Sequence, residues 1–292
     1  MLKISEVLKR NNLRTKSYIK NGNTLLVDTN KGKKIIKKIN NNIYEYLESR
    51  DFHYFPNHII DNEYQIVDYI DEIKTPNEQK ISDMIRLIAL LHNKTTYYKE
   101  ITNEEYKKIY DDISNNIEYL TNYYTDMITI IESREYMSPS EYLLARGISK
   151  IFNSLNFCRY ELNKWYELVE NKKKQRYVVI HNNLELDHFV KDNNSYLISW
   201  DKSKIDIPIY DIYKLYKKHC LDFDFSILLN QYESDYPLLE EERKLLFILI
   251  SLPNKIDFDD KEYNMCLKIS KMLDYLYRTD ELISPYYSKD TV

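Results

Sequence analysis

The chain has 292 residues, 43% hydrophobic and 30% charged, the composition of a folded globular protein long enough for two lobes with real cores. Its 42 basic and 46 acidic residues leave a formal net charge of −4, which argues against a dedicated nucleic-acid binder. Only three glycines occur, Gly22, Gly32 and Gly147. None of the glycine-rich phosphate loops or the G-x-S-x-G nucleophile turn can therefore be written on this sequence.

In chain order, Ile4, Val7 and Leu8 fall on one helical face within residues 3–10. This N-terminus is charged and lacks the apolar core of a signal peptide. Residues 17–20 and 24–28 read as strands joined at Asn21-Gly22, a tight-hairpin signal. A second turn at 30–32 leads to a third strand over 33–39. Residues 42–50 read as a short helix with Ile43, Tyr46 and Leu47 inward, and 59–60 and 64–70 as two more strands. Lys33, Lys34, Lys37 and Lys38, like Lys172 to Lys174, read as solvated faces.

Helices then dominate. Thr75, Pro76 and Glu78 form a helix-start signal, followed by an apolar stripe from Ile81 to Leu91. Thr102 with Glu105, and Ser138 with Glu141, open two further helices in the same way. Four more are expected over 212–220, 225–232, 238–252 and 262–277. The longest apolar run, 245–250, is far short of a membrane span. The cysteines Cys158, Cys220 and Cys266 are isolated from each other, so neither a disulfide framework nor a zinc knuckle is expected. No membrane or nucleic-acid partner is expected, and the location expected is cytoplasmic. The organisation expected is α+β: an antiparallel-sheet lobe over 1–70 and a mainly helical lobe over 71–292.

Inside the second lobe lies a stretch of different character. Residues 177–180 form an apolar β-run ending at His181. A polar loop through Asn183, Glu185, Asp187 and His188 follows, then a second β-run to Ile198-Ser199-Trp200-Asp201. Asp206, Pro208 and Asp211 lead into a helix. His181 reads as a buried scaffold histidine bonded to backbone. His53 and His58 read as ordinary loop residues.

This order of motifs resembles the aminoglycoside phosphotransferase and choline kinase group of the protein-kinase-like fold, nearest its bacterial spore-coat kinase-like branch. The resemblance covers nearly the whole chain. That group carries H-G-D-x-x-x-x-N, then I-D-W-E, then G-D-P-x-x-D. His181 matches its histidine, Asn182 stands at its glycine, Asn183 at its catalytic Asp and His188 at its metal-binding Asn. Ser199 stands at its metal-binding Asp, while Trp200, Pro208 and Asp211 match. The resemblance implies that Lys37 is the phosphate-binding lysine, with Glu45 or Glu48 as its partner. It also implies that Asp68, Tyr69 and Ile70 form the hinge that meets a nucleotide base.

The scaffold positions match and the reaction positions do not. An amide at 183 orients a hydroxyl but does not take its proton. Magnesium prefers hard oxygen ligands, usually including a carboxylate, and neither His188 nor Ser199 is an anion. The expectation is a kinase-like protein without phosphoryl transfer, a binding or assembly module for a small molecule or a protein, with no cofactor or metal. The alternative is an ATP- and magnesium-dependent small-molecule phosphotransferase with relocated ligands, Asp201 or Asp187. If the strand at 196–199 continued, Asp201 would point the same way as Ser199. Otherwise Glu185, Asp187 and Asp201 read as solvated loop charge.

Overall fold

A computed structural model describes residues 2–22, 24–39, 42–258 and 260–287. The chain runs α1 (Leu2–Arg10), β1 (Thr15–Asn21), β2 (Thr24–Thr29), β3 (Gly32–Lys38), α2 (Tyr44–Ser49), β4 (His58–Asp61), β5 (Tyr64–Asp68) and α3 (Asn77–Thr95). It continues through β6 (Tyr97–Glu100), α4 (Asn103–Glu132), α5 (Pro139–Val169), β7 (Lys174–Ile180), β8 (Phe189–Lys191), β9 (Ser195–Leu197) and β10 (Lys204–Asp206). Helices α6 (Ile209–His219), α7 (Phe225–Asp235), α8 (Glu240–Ser251) and α9 (Glu262–Tyr287) complete it. Two compact units result: Met1–Thr95 with Val179–Asp206, and Thr96–Val178 with Ile207–Val292.

The first unit is built on an antiparallel sheet of order β1-β2-β3-β5-β4. The pairing of Asn21 with Thr24 closes the first hairpin, and Gly22 takes the left-handed φ of +55° that glycine adopts without a Cβ clash. Side chains alternate between the two faces of the sheet. Val27, Ile36 and Ile66 share one face and pack with Val7, Leu8 and Leu13 of α1 and the turn after it. Burying each such side chain contributes about 1.5–3 kcal/mol. The helical face read at Ile4, Val7 and Leu8 is the packed one.

This division differs from the one expected near residue 71. Helix α3 and the segment 179–206 belong with the sheet, and named contacts hold them there. The Ile73 amide donates to the Lys191 carbonyl (2.8 Å), the Leu197 amide to Tyr54 (2.9 Å), and Lys191 pairs with Asp83 of α3 (2.6 Å).

The second unit is helical. The capping boxes read at Thr102/Glu105 and Ser138/Glu141 are both formed. Helix α5 buries Leu144, Ile151, Leu155, Cys158, Leu162 and Trp165, and packs with α4, α8 and α9. Gly147 lets α9 close in, since a Cβ there would lie 2.6 Å from Leu273 Cδ1. Cys158 and Cys220 are buried, Cys266 half-buried, and all three are free. Strand β6 pairs with β7, Tyr97 opposite Tyr177, a strand that the sequence reading lacks.

Candidate functional site

Strand β3 presents Ile35 and Lys37 on the sheet face opposite the α1 core, together with Leu26 of β2 and Gln65 of β5. Gln65 sits directly across from Lys37. The carboxylate that meets Lys37 comes from Asp201. Its two oxygens lie 2.8 and 3.0 Å from Lys37 Nζ. The pair is part-buried, with side chains 15% and 33% exposed. Lys34 is likewise paired, with Asp68. Neither Lys34 nor Lys37 belongs to a solvated face.

Glu45 and Glu48 are exposed on α2. This corrects the pairing expected for Lys37, and the reason is helical phase. The residues α2 buries are Tyr44 and Leu47, which turns positions 45 and 48 outward. Tyr44 is packed tilted against His58 (4.2 Å between centroids) and edge-on to Phe55 (5.0 Å). Burial pushes the Tyr44 phenol up to about 12, against a hydrogen bond with Gln65 and with the charge of Asp201 adding to it. His58 is thus a strand residue inside an aromatic cluster, and burial lowers its pKa.

Asp201 reaches Lys37 because strand β9 stops at Leu197. Ser199 then turns left-handed, at φ +64° and ψ +49°, into a 3-10 turn over Trp200–Lys202. The strand does not continue through Asp201, the condition on which Asp201 would have pointed the same way as Ser199. Trp200 holds the turn in place. It is 1% exposed, donates Nε1–H to the Leu197 carbonyl (2.8 Å), and meets the rings of His181 (4.8 Å), Phe52 (6.1 Å) and Phe55 (6.5 Å) edge-on. Ser203 Oγ caps the turn by donating to the Trp200 carbonyl (2.7 Å).

His181 is fully buried, its Nε2 2.9 Å from the Ile198 carbonyl, which joins the end of β7 to the segment after β9. Asn182 adopts φ +62° and donates its side-chain amide to the Lys202 carbonyl (2.8 Å). Asn tolerates this left-handed conformation where other side chains are strained. His188 Nδ1 lies 2.7 Å from the Asn183 carbonyl, so Nδ1 carries the proton and is not available as a ligand. The 3.4 Å approach of Asn183 Nδ2 to that nitrogen is then no hydrogen bond. The Asn183 side-chain oxygen is 3.5 Å from Lys202 Nζ.

Magnesium does not fit the donors present. The positions of the motif ligands offer the His188 ring and the Ser199 hydroxyl. Asp187 is exposed on its 3-10 turn, and both oxygens of Asp201 already serve Lys37. Among the described residues no three His, Cys, Asp or Glu side chains come together as a metal-binding group. At the hinge positions, the amides of Asp68 and Tyr69 donate to the carbonyls of Asn57 (2.9 Å) and Lys33 (3.1 Å). Asp68 and Ile70 line a cavity of about 670 Å³ with Tyr54 and Tyr196.

The structure therefore brings together Lys37, Asp201, Tyr44 and Gln65 in one cluster, and His181, Asn183, His188 and Trp200 in the adjoining loop. Tyr44 and Gln65 went unread in the sequence. Gln65 faces Lys37 through the pairing of the third and fifth strands, which no turn joins directly, so no local signal fixes that register.

No family model matches the sequence, and no curated protein matches it. Solved structures do. An aminoglycoside phosphotransferase from Alicyclobacillus acidocaldarius is 8% identical, with 94% of this chain and 92% of that one covered at a TM-score of 0.65. A spectinomycin phosphotransferase in complex with ADP and spectinomycin is 10% identical, covering 96% and 98% at 0.49. A choline/ethanolamine kinase family protein from Mesorhizobium loti is 11% identical, covering 96% and 99% at 0.46. The fold assignment rests on the first of these. The strand order, the His181 segment and the phosphotransferase likeness agree, and the chain has the α+β protein-kinase-like fold of the aminoglycoside phosphotransferases.

Proposed function

We propose that this chain is a kinase-fold protein that does not transfer phosphoryl groups and acts as a binding or assembly module in the cytoplasm. Its motifs stand nearest the spore-coat kinase-like branch. One observation carries the reading: the carboxylate of Asp201 is held by both oxygens on Lys37. Phosphoryl transfer depends on cations that offset phosphate charge and on a group that orients the nucleophile. Here the lysine is neutralised by a fixed aspartate, and the base position is the amide of Asn183. A ligand in the site would meet a closed ion pair beside the apolar side chains Leu26 and Ile35. The partner class is a small molecule or a protein, and fold alone does not select between them.

A second reading has one observation in its favour. Asp201 stands two residues past Ser199 and is turned toward Lys37, where a relocated metal ligand would be. That reading makes the chain an ATP-dependent small-molecule phosphotransferase. Thermal unfolding with ATP, with and without magnesium, together with an assay of ADP release, separates the two. The module reading expects no magnesium-dependent shift and no turnover. Turnover that is lost in Asp201→Ala would replace it with the second reading.

A further inference from the structure

The sheet face that carries the α1 core is not covered along its whole length. Near the β1–β2 hairpin, Leu25 and Tyr64 remain half-buried, and Tyr18 is 52% exposed. Together with Ile4 and Leu8 of α1, these side chains border a groove of about 1050 Å³. Strand register places Tyr18, Lys20, Leu25, Ile36, Lys38 and Tyr64 on this one face. The groove is thus largely on the side of the sheet opposite Leu26, Ile35 and Gln65. It meets the kinase-like site only at its margin, where Lys37 and Asp201 border it.

The charges around the groove are unbalanced. Lys20 and Lys38 border it, and neither pairs with a carboxylate among the described residues. Among the described residues, Asp201 is the one acidic side chain bordering it, and Asp201 is taken by Lys37. An apolar trough flanked by two unneutralised ammonium groups matches a ligand with an apolar chain and one anionic head. A chain of about twelve carbons, at about 0.8 kcal/mol per buried methylene, supplies binding energy that a bare anion lacks. The lysines select an anionic head over a neutral one.

We propose that this groove binds a single-chain long-chain carboxylate, with its chain along Leu25, Ile36 and Tyr64 under α1 and its head between Lys20 and Lys38. The site is independent of phosphoryl transfer and stands whichever reading of the kinase-like site holds.

Isothermal titration of the full chain with dodecanoate below its micelle concentration tests the proposal. Acetate and dodecyl maltoside serve as the head-only and neutral-head controls. Saturable 1:1 binding of dodecanoate is expected, with none by acetate. Binding should weaken at least tenfold in K20A/K38A, whose replaced side chains are exposed and leave the fold intact. Tyr18→Ser, also at an exposed position, should weaken the chain contact and leave the salt dependence unchanged. Three results would overturn the proposal: no saturable dodecanoate binding, equal affinity in K20A/K38A, or maltoside binding as tight as dodecanoate. A concentration-dependent dimer that dodecanoate does not disperse would assign the groove to a second copy of the chain and overturn it as well.

Discussion

Lys37 and Asp201 are 164 positions apart and bind each other through both carboxylate oxygens, at 2.8 and 3.0 Å. Each satisfies the other's charge in a part-buried place, so removing one leaves an uncompensated ion. Lys37→Ala and Asp201→Ala are each expected to lower stability by about 1–2 kcal/mol, since partly buried pairs exceed the ~1 kcal/mol limit of exposed ones. The double variant should lose less than the sum of the two. A cycle of urea unfolding midpoints measures the coupling, expected at about 1 kcal/mol. A coupling of zero would mean that the two groups act separately in solution.

Trp200 keeps Asp201 in that position, and its contribution has two separable parts. Trp200→Phe keeps a ring against His181 and Phe52 but removes the Nε1–H bond to Leu197, at a cost of about 1 kcal/mol. Trp200→Ala also opens a cavity among three rings, those of His181, Phe52 and Phe55, and is expected to cost roughly 3–5 kcal/mol. The Lys37–Asp201 coupling, measured again in the Trp200→Phe background, should fall. An unchanged coupling would place the anchoring of the 3-10 turn elsewhere.

How far these relationships could be read from the sequence depends on their range. The hairpin, the five strands and the capping boxes of α4 and α5 are local, and they stood in the residues themselves. Lys37 was singled out by the resemblance of its strand to the one that carries the family's phosphate-binding lysine. Its partner was not, because that required knowing that β9 stops at Leu197 and that Ser199 turns left-handed. Ser199 has no strong preference for that conformation, so no local signal marks it. Glu45 and Glu48 were offered as partners by the family resemblance alone, while the residues of α2 read with Ile43, Tyr46 and Leu47 inward. The buried residues are Tyr44 and Leu47, and a six-residue helix has too few turns to fix its phase by periodicity. Strand β6, Tyr97–Glu100, escaped for the same reason, with four residues and mostly exposed side chains.

Lys217 supplies a pH dependence with a definite sign. Burial brings its ammonium down from 10.5 to about 8, while Nζ donates to the Leu252 carbonyl at 3.0 Å. Between those two pH values the unfolded chain holds a proton that the folded chain has released, so stability rises with pH across that window. The contribution is complete above 10.5 and lost as pH falls through about 8. The thiols of Cys158 and Cys220, raised by burial, titrate nearby with the opposite effect, so the comparison is made against Lys217→Met. The native chain should gain roughly 3 kcal/mol relative to that variant between the two pH values. A difference that does not change with pH would mean that Lys217 stays protonated in the fold.

If the exchanged groups are what separate this chain from an ion-binding kinase site, restoring them should restore the ion. Asn183→Asp and Ser199→Asp each add a carboxylate without changing the scaffold. At position 199 the left-handed backbone, φ +64°, suits Asp better than Ser, so this substitution carries no added strain. A second anion beside Asp201 competes for Lys37 and leaves one carboxylate oxygen able to meet a dication. The double variant is expected to gain a magnesium-dependent stabilisation by ATP that the native chain lacks. At ligand concentrations a hundredfold above Kd this amounts to about 2.7 kcal/mol. For a chain of this size that is a melting shift of several degrees, on the order of 2–4 °C per kcal/mol. A shift already present in the native chain would overturn the module reading. No shift in either protein would mean that the Lys37–Asp201 pair closes the site by itself, and Asp201→Asn in the restored background would then be the substitution that opens it.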